Sequence, residues 1–280
     1  MATAIQNFIL WSLSRYGQDP EYNTVILSRF SLIPSTNVDS TRASYKSLSS
    51  SDLASVKELL SLNSPLNPFR PRVRFRNLMI AELLLQTGIR LGELLKLKVD
   101  DFIHNEDRYY LRIANHANDP EDSRTAQPSN KNNLSFRSVA ISLDLYEMTQ
   151  VYIQHFRRPQ RSGKKMKLFH SYFLVSDRGT PLSMVTVQSI FTQLQMKIRQ
   201  TDTGKKEFCL SPHVFRHTFA DRFLCFLLEI KKLDMENAKD ELRIICGWSP
   251  SSTMPSRYAN RYINSSANNH NMDRIKNFSL

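Results

Sequence analysis

The sequence predicts a mainly α protein with a small β component, an α+β fold. Three observations predict it. Most of the chain carries apolar residues at helical spacing, in runs bounded by Ser, Asp, Pro or Gly. Strand-like alternation is confined to residues 98–143. A chain of 280 residues, 41% hydrophobic and 23% charged, also has the length and balance to bury a large core.

The same composition bounds function. No apolar run approaches the roughly 18 residues of a membrane span, so no membrane partner is expected. The stretch Met1–Trp11 lacks the basic start of a secretory leader. Cys209, Cys225 and Cys246 show no metal or disulfide spacing and read as buried thiols of a cytoplasmic protein. The formal net charge of +12 points to a polyanionic partner, most simply nucleic acid.

Taken in order, residues 4–16 and 21–30 carry helical patterns, and the Ser-, Thr- and Asn-rich stretch 31–51 reads as a linker. A helix is expected over Leu53–Leu62, followed by breaks at Pro65, Pro68 and Pro71. The next runs from Arg74 to Gln86 and stops at Gly88, suited to a left-handed helix end. Arg90 then opens a short helix to Leu97. Strands are expected over Lys98–Ile103, Arg108–Ala114 and Ser135–Leu143, the last two joined by a long polar hairpin loop, 115–133. After a helix over Asp144–His155, the stretch Arg157–Lys167 holds six basic residues and no acid, as either a solvated loop or a DNA-backbone contact. Buried extended chain follows at 168–176, a turn at 177–180 and a helix over Met184–Arg199. The loop 201–207 brings Lys205 and Lys206 as phosphate contacts. Helices are expected from Ser211 to Ile230, from Met235 to Cys246 and from Ser256 to Ile263, with a polar tail behind them.

Chemistry concentrates at one helix start. In Ser211-Pro212-His213-Val214-Phe215-Arg216-His217-Thr218-Phe219-Ala220, Ser211 is a capping residue and Pro212 suits the first turn. The spacing of three puts His213 and Arg216 on one helix face, at the end where unpaired N–H groups favour an anion. These residue types fit a phosphate. His217 reads as a buried, hydrogen-bonded structural residue.

Two further stretches share that chemistry: Thr87-Gly88-Ile89-Arg90-Leu91-Gly92-Glu93-Leu94 upstream, and Gly247-Trp248 followed by Ser256-Arg257-Tyr258 downstream. Together and in this order, the three blocks resemble the tyrosine recombinase (phage integrase) family over Leu53–Tyr262. The resemblance implies the catalytic-domain fold of that family, mostly helical with a small antiparallel sheet. Residues 1–50 would be a short N-terminal helical segment and linker, 51–263 the catalytic domain and 264–280 a tail. In the family such tails often dock on a neighbouring protomer, with Ile275 and Phe278 as candidate anchors here; a frayed terminus is the alternative.

The resemblance also assigns roles. Arg90 and Arg216 would clamp the nonbridging oxygens of a DNA phosphate, since a guanidinium fork stays charged and donates two parallel bonds. His213 would accept the nucleophile's proton or bond the phosphate. Trp248 stands where the family has His or Trp, and its indole N–H only donates. Tyr258 would be the nucleophile, ten residues beyond Trp248, with Tyr262 as the rival one turn later. Lys131, in Lys131-Asn132-Asn133-Leu134-Ser135-Phe136-Arg137, matches the family's K-x-x-x-S-x-R spacing and would protonate the leaving 5′ oxygen. Glu93 would orient a neighbouring basic group or be only a helix-face carboxylate, while Lys96 and Lys98 read as surface charges or nonspecific phosphate contacts. The implied reaction is site-specific DNA recombination through a 3′-phosphotyrosine, without metal, cofactor or ATP, by a tetramer on paired sites in double-stranded DNA. A topoisomerase-like nicking and resealing enzyme, or a noncatalytic DNA-binding protein of the same fold, are the alternatives.

Overall fold

A computed structural model of the protein describes residues 47–114, 119–128, 136–161, 164–165, 167–201 and 209–278. The expected helices at 4–16 and 21–30, nearly all of the linker, Lys131, Lys205 and Lys206 lie outside them. The fold is mainly helical with a small antiparallel sheet.

Helix α1 spans Ser50–Leu60 and is capped from Ser49, whose side chain and Asp52 bond each other's backbone N–H. Helix α2, Pro71–Thr87, starts three residues before the expected Arg74 because Pro71 sits in its first turn, where a missing N–H costs nothing. It ends at Gly88 (φ 59°), and a Cβ there would lie 2.1 Å from the Phe219 ring. Gly88 thus serves a left-handed turn and a close helix approach together. Helix α3, Leu91–Lys96, follows with Arg90 as its capping residue.

The sheet comprises β1 (Phe102–Asn105), β2 (Arg108–Ile113) and β3 (Arg137–Ile141), in that order. Leu111 pairs with Phe102 on one side and Val139 on the other, so these apolar residues line one face, turned to the core. The expected first strand begins late. Lys98 makes only an isolated bridge to Tyr172, and Val99–Asp101 form one 3-10 turn.

Helix α4 (Leu143–Val151) runs into a π-helical turn, Tyr152–Phe156; a two-residue hairpin pairs Gln160–Arg161 with Lys164–Lys165. Helix α5 spans Met184–Thr201, α6 Pro212–Cys225 with a π-helical turn to Ile230, and α7 Met235–Ile245. Helix α8 runs unbroken from Met254 to Phe278. The expected tail is therefore helical in its described part, with Ile275 and Phe278 exposed.

Apolar side chains gather in two clusters. The larger joins α1–α5, the sheet and the start of α6 through residues such as Leu59, Leu84, Leu111, Phe173 and Phe215. The smaller lies between α6, α7 and α8, and contains Ala220, Leu224, Leu242, Cys246 and Tyr258.

Several polar readings are corrected by ion pairing, backbone hydrogen bonds or burial. The loop 115–133 was expected to be too polar to pack, yet its described part, 119–128, is held down. Arg124 bonds Asp122 at 2.7 Å, donates to Leu95 O and Leu182 O, and lies over the Tyr172 ring. Lys98 is paired with Asp119 at 2.6 Å and Glu121 at 3.2 Å, and Lys96 is buried, so neither is a plain surface charge. Arg157 is buried and spends its guanidinium on Tyr172 O and His170 O, which removes it from any DNA contact. Of the cysteines only Cys246 is buried; Cys225 is half-buried and Cys209 exposed.

Candidate active site

Two glycine turns frame the site. One follows α2 at Gly88, and the other follows α7 at Gly247, also left-handed with φ 59°. Arg216, on the first turns of α6, donates to Gly88 O and, at 2.6 Å, to Cys246 O. Arg90 donates to Gly247 O at 2.9 Å. Each arginine therefore ties a helix end to the turn across from it. Arg216 is 4% exposed, and burial pushes its guanidinium below its ordinary value. A guanidinium has more N–H donors than these contacts use, so donors remain on both.

A buried carboxylate fixes Arg90. Glu93, three residues after Arg90 and 3% exposed, accepts from Arg90 Nη1 at 2.7 Å and from the Arg90 backbone N–H at 2.9 Å. It also accepts both outer nitrogens of Arg137, at 2.9 and 3.3 Å. Burial alone would raise its titration, but the Arg137 ion pair and hydrogen bonds, joined by Arg90, outweigh it and hold the carboxyl below the usual range. Arg137 Nε donates to Ile245 O at 2.8 Å, so the carboxylate links α3, β3 and the end of α7. A Cβ on Gly247 would fall 2.3 Å from Arg137 Nη1, so the glycine allows this approach.

The nucleophile candidate sits one layer away. Tyr258, on the first turns of α8, is 2% exposed and stacks on Trp248, with ring centroids 5.5 Å apart and planes at 21°. Trp248 lies in turn under the Arg216 guanidinium, 5.3 Å from its ring centroid. The Tyr258 hydroxyl shares a hydrogen bond with His217 Nδ1. Burial drives the phenol above its ordinary range; Cys246 adds to that, while Arg216 and Arg261 pull against it. Burial likewise pushes the His217 imidazole down to about 3, helped by His213, Arg261 and Arg216. Both partners are neutral at physiological pH.

His213 is exposed at the α6 N-terminus, behind the Ser211 cap, and its ring meets His217 edge-on at 4.2 Å between centroids. Arg90, Arg216, Trp248 and Tyr258 are thus brought together, and His213 joins them through His217. Lys131 lies outside the described residues. Tyr262, the rival nucleophile, faces Glu229 instead.

Sequence reasoning understated Glu93 and gave no role to Arg137 or to the tyrosine contact of His217. A signal for Arg137 was present. It shares a strand face with Val139 and Ile141, where a charge needs a partner. His217 had only its position one turn after His213.

A family model described as the phage integrase family matches residues 55–263. The tyrosine recombinase XerC of Bacillus pumilus (strain SAFR-032) is 27% identical over 169 residues, covering 60% of this chain and 46% of that protein. Among solved structures, the XerH site-specific recombinase bound to difH substrate in a pre-cleavage complex aligns with a TM-score of 0.53 at 18% identity, over 79% of this chain and 52% of that one. The Tn1549 transposon integrase in complex with circular intermediate DNA aligns with a TM-score of 0.53 at 20% identity, over 76% and 62%. At such identities the structural likeness is one of fold. The chain spans about half the length of the curated relative it matches.

Proposed function

Because the chain belongs to the phage integrase family, we propose that it is a site-specific DNA recombinase that cleaves and rejoins strands through a 3′-phosphotyrosine at Tyr258. The observation that carries this reading is the lacing of Arg90 and Arg216 across the Gly88 and Gly247 turns, one ring away from Tyr258.

The Tyr258 oxygen attacks the phosphorus and its proton passes to His213, whose exposed imidazole borders the hydroxyl's present partner. The bond from phosphorus to the 5′ oxygen breaks, and Lys131 supplies the proton that leaves a free 5′ hydroxyl. Arg90 and Arg216 take up the charge on the nonbridging oxygens, with Trp248 as a further donor. Attack of a 5′ hydroxyl from a partner duplex on the phosphotyrosine reverses the chemistry and completes strand exchange. Two arginines do the charge neutralisation that other phosphoryl-transfer sites give to a metal. The partner is double-stranded DNA, held at paired sites by a tetramer of this chain, in the cytoplasm. Among the described residues no helix is long and apolar enough to cross a membrane.

A nicked duplex that loses a short 5′-hydroxyl fragment on cleavage tests this, drawn from a pool of sequences flanking the gene. Denaturing electrophoresis without added divalent ion should reveal a protein–DNA adduct mapping to Tyr258 and missing in Tyr258→Phe. An adduct at Tyr262 would move the nucleophile. Relaxation of supercoils without exchange between duplexes would favour the nicking and resealing alternative, and DNA binding with no adduct the noncatalytic one.

A further inference from the structure

We propose that a basic pocket at the start of α2, continued by the 160–165 hairpin, is a second DNA surface. It takes the phosphate backbone of a duplex other than the one cleaved, and this rests on the arginine clamp holding the cleaved one.

Arg157 turns inward, but Arg158, Lys164, Lys165 and Lys167 of the same basic stretch are exposed. A cavity of about 290 Å³ lies beside them, where the π-helical turn after α4 meets the first turns of α2 and the turn at Asp177. Arg72, Arg76 and Arg158 line it. Asp177 is the one acid among its lining residues, and it is already engaged, by Arg72 at 2.7 Å and Arg76 at 4.0 Å. Three guanidiniums against one carboxylate leave an excess of positive charge. The walls are fixed. Phe75 of α2 stacks on Phe156 of the π-helical turn, with centroids 4.5 Å apart and planes at 5°. Arg76 donates to Val175 O at 3.1 Å, and the Tyr152 hydroxyl accepts from the Val175 N–H at 3.3 Å. Planar guanidinium forks on such a frame suit phosphate. Pro159 lines the cavity and Gln160 opens the hairpin, so Lys164, Lys165 and Lys167 carry the charge onward as a strip. A strip fits an extended polyanion better than a single ion.

Its position separates the pocket from the clamp. Helix α2 starts at the pocket and ends at Gly88, and its 17 residues put the two ends about 25 Å apart. None of residues 73–87 is exposed, so α2 runs through the body of the fold and its ends open on different faces. A duplex seated on Arg90 and Arg216 cannot lie along a covered helix, so the pocket faces other DNA. Strand exchange needs two duplexes together, and a surface that holds backbone without reading bases raises the local concentration of the second.

Protein trapped on a bead-bound nicked duplex through its Tyr258 adduct, then washed at high salt, has its clamp filled. Offered an unrelated labelled duplex at low salt, it should capture that duplex, less so as salt rises. Arg72→Glu combined with Arg158→Glu, both at exposed positions, should form the adduct at the wild-type rate. Its capture should be about tenfold weaker or more, with a salt slope lower by about two. Asp177→Asn, which removes the pocket's own carboxylate, should strengthen capture. Equal capture by the wild type and the double variant would overturn the second surface. So would loss of the adduct together with capture, because the pocket would then belong to the cleavage interface. Acetylation of Lys164, Lys165 and Lys167 by acetic anhydride, followed by peptide mapping, needs no adduct. Excess duplex should protect these lysines in the wild type and leave them reactive in the double variant. No protection by duplex would overturn the proposal, and equal protection by polyglutamate would replace DNA with an acidic protein partner. Protection by duplex without any Tyr258 adduct would keep the DNA surface and discard the nucleophile.

Discussion

The arginine clamp and the tyrosine layer adjoin each other but are held by different means. The clamp is over-determined: Glu93 bonds two arginines, Arg137 and Arg90 reach opposite sides of the Gly247 turn, and Arg216 spans both turns. Tyr258 depends on one hydrogen bond, one ring stack and apolar contacts, on a helix whose second half is exposed. The contrast fits what each would do in the proposed reaction. Groups that neutralise a developing charge act best when fixed beforehand. A nucleophile buried as a neutral phenol has to move before it reacts.

The largest effect on stability should come from breaking the clamp at its centre. Glu93→Ala leaves Arg137 buried without its counter-charge, and chemical denaturation should show a loss of roughly 3–5 kcal/mol. In catalysis the corresponding test is Arg90→Lys. A point charge cannot reproduce the fork that bonds Glu93 and Gly247 O while facing phosphate. Single-turnover adduct formation should fall about 10²–10³-fold, with thermal stability far less affected than in Glu93→Ala. Gly247→Ala adds left-handed strain and a contact with Arg137, and should cost about 1–3 kcal/mol in the same denaturation assay.

The tyrosine layer should respond to pH instead. The folded-state titration of His217 is depressed to about 3 from an ordinary 6.5. Below 6.5 the unfolded chain binds a proton that the folded chain refuses, so this contribution is present above that pH and is lost as pH falls toward 3. His217→Asn should flatten the slope of unfolding free energy against pH within that window. Glu93, also depressed, acts in the same direction at lower pH, which a Glu93→Gln titration separates.

Much of the clamp was legible in the sequence because its parts are local. Gly88 and Arg90 belong to one turn, Ser211 to Arg216 to one capped helix start, and Gly247 with Trp248 to another turn. The long-range closure was not legible. Arg137 meets Glu93 across 44 residues, and nothing in the strand's own pattern names that partner. The same limit explains the described part of the loop 115–133, whose acids pair with Lys98 and Arg124 and whose Arg124 lies over the Tyr172 ring. In the tyrosine layer, the helix bearing Tyr258 was expected to stop at Ile263, because the residues behind it are polar all round. A helix polar on every face leaves no periodic signal.

That exposed half of α8 gives the smallest expected effect and the sharpest check on the contrast. The buried residues of α8 are Pro255, Tyr258 and Ala259, all in its first turns, whereas Met272, Ile275 and Phe278 are exposed. Removing residues 266–280 therefore takes away almost no buried contact, and the unfolding free energy of the isolated chain should change by less than about 0.5 kcal/mol. The helix start keeps its Trp248 stack, its His217 bond and the Arg261–Asp221 pair. Nitration of Tyr258 in the truncated chain should accordingly stay at the wild-type level. A truncation that released Tyr258 would mean that the far end of α8 restrains the nucleophile, and the tyrosine layer would then be tied down along its whole helix instead of at its first turns.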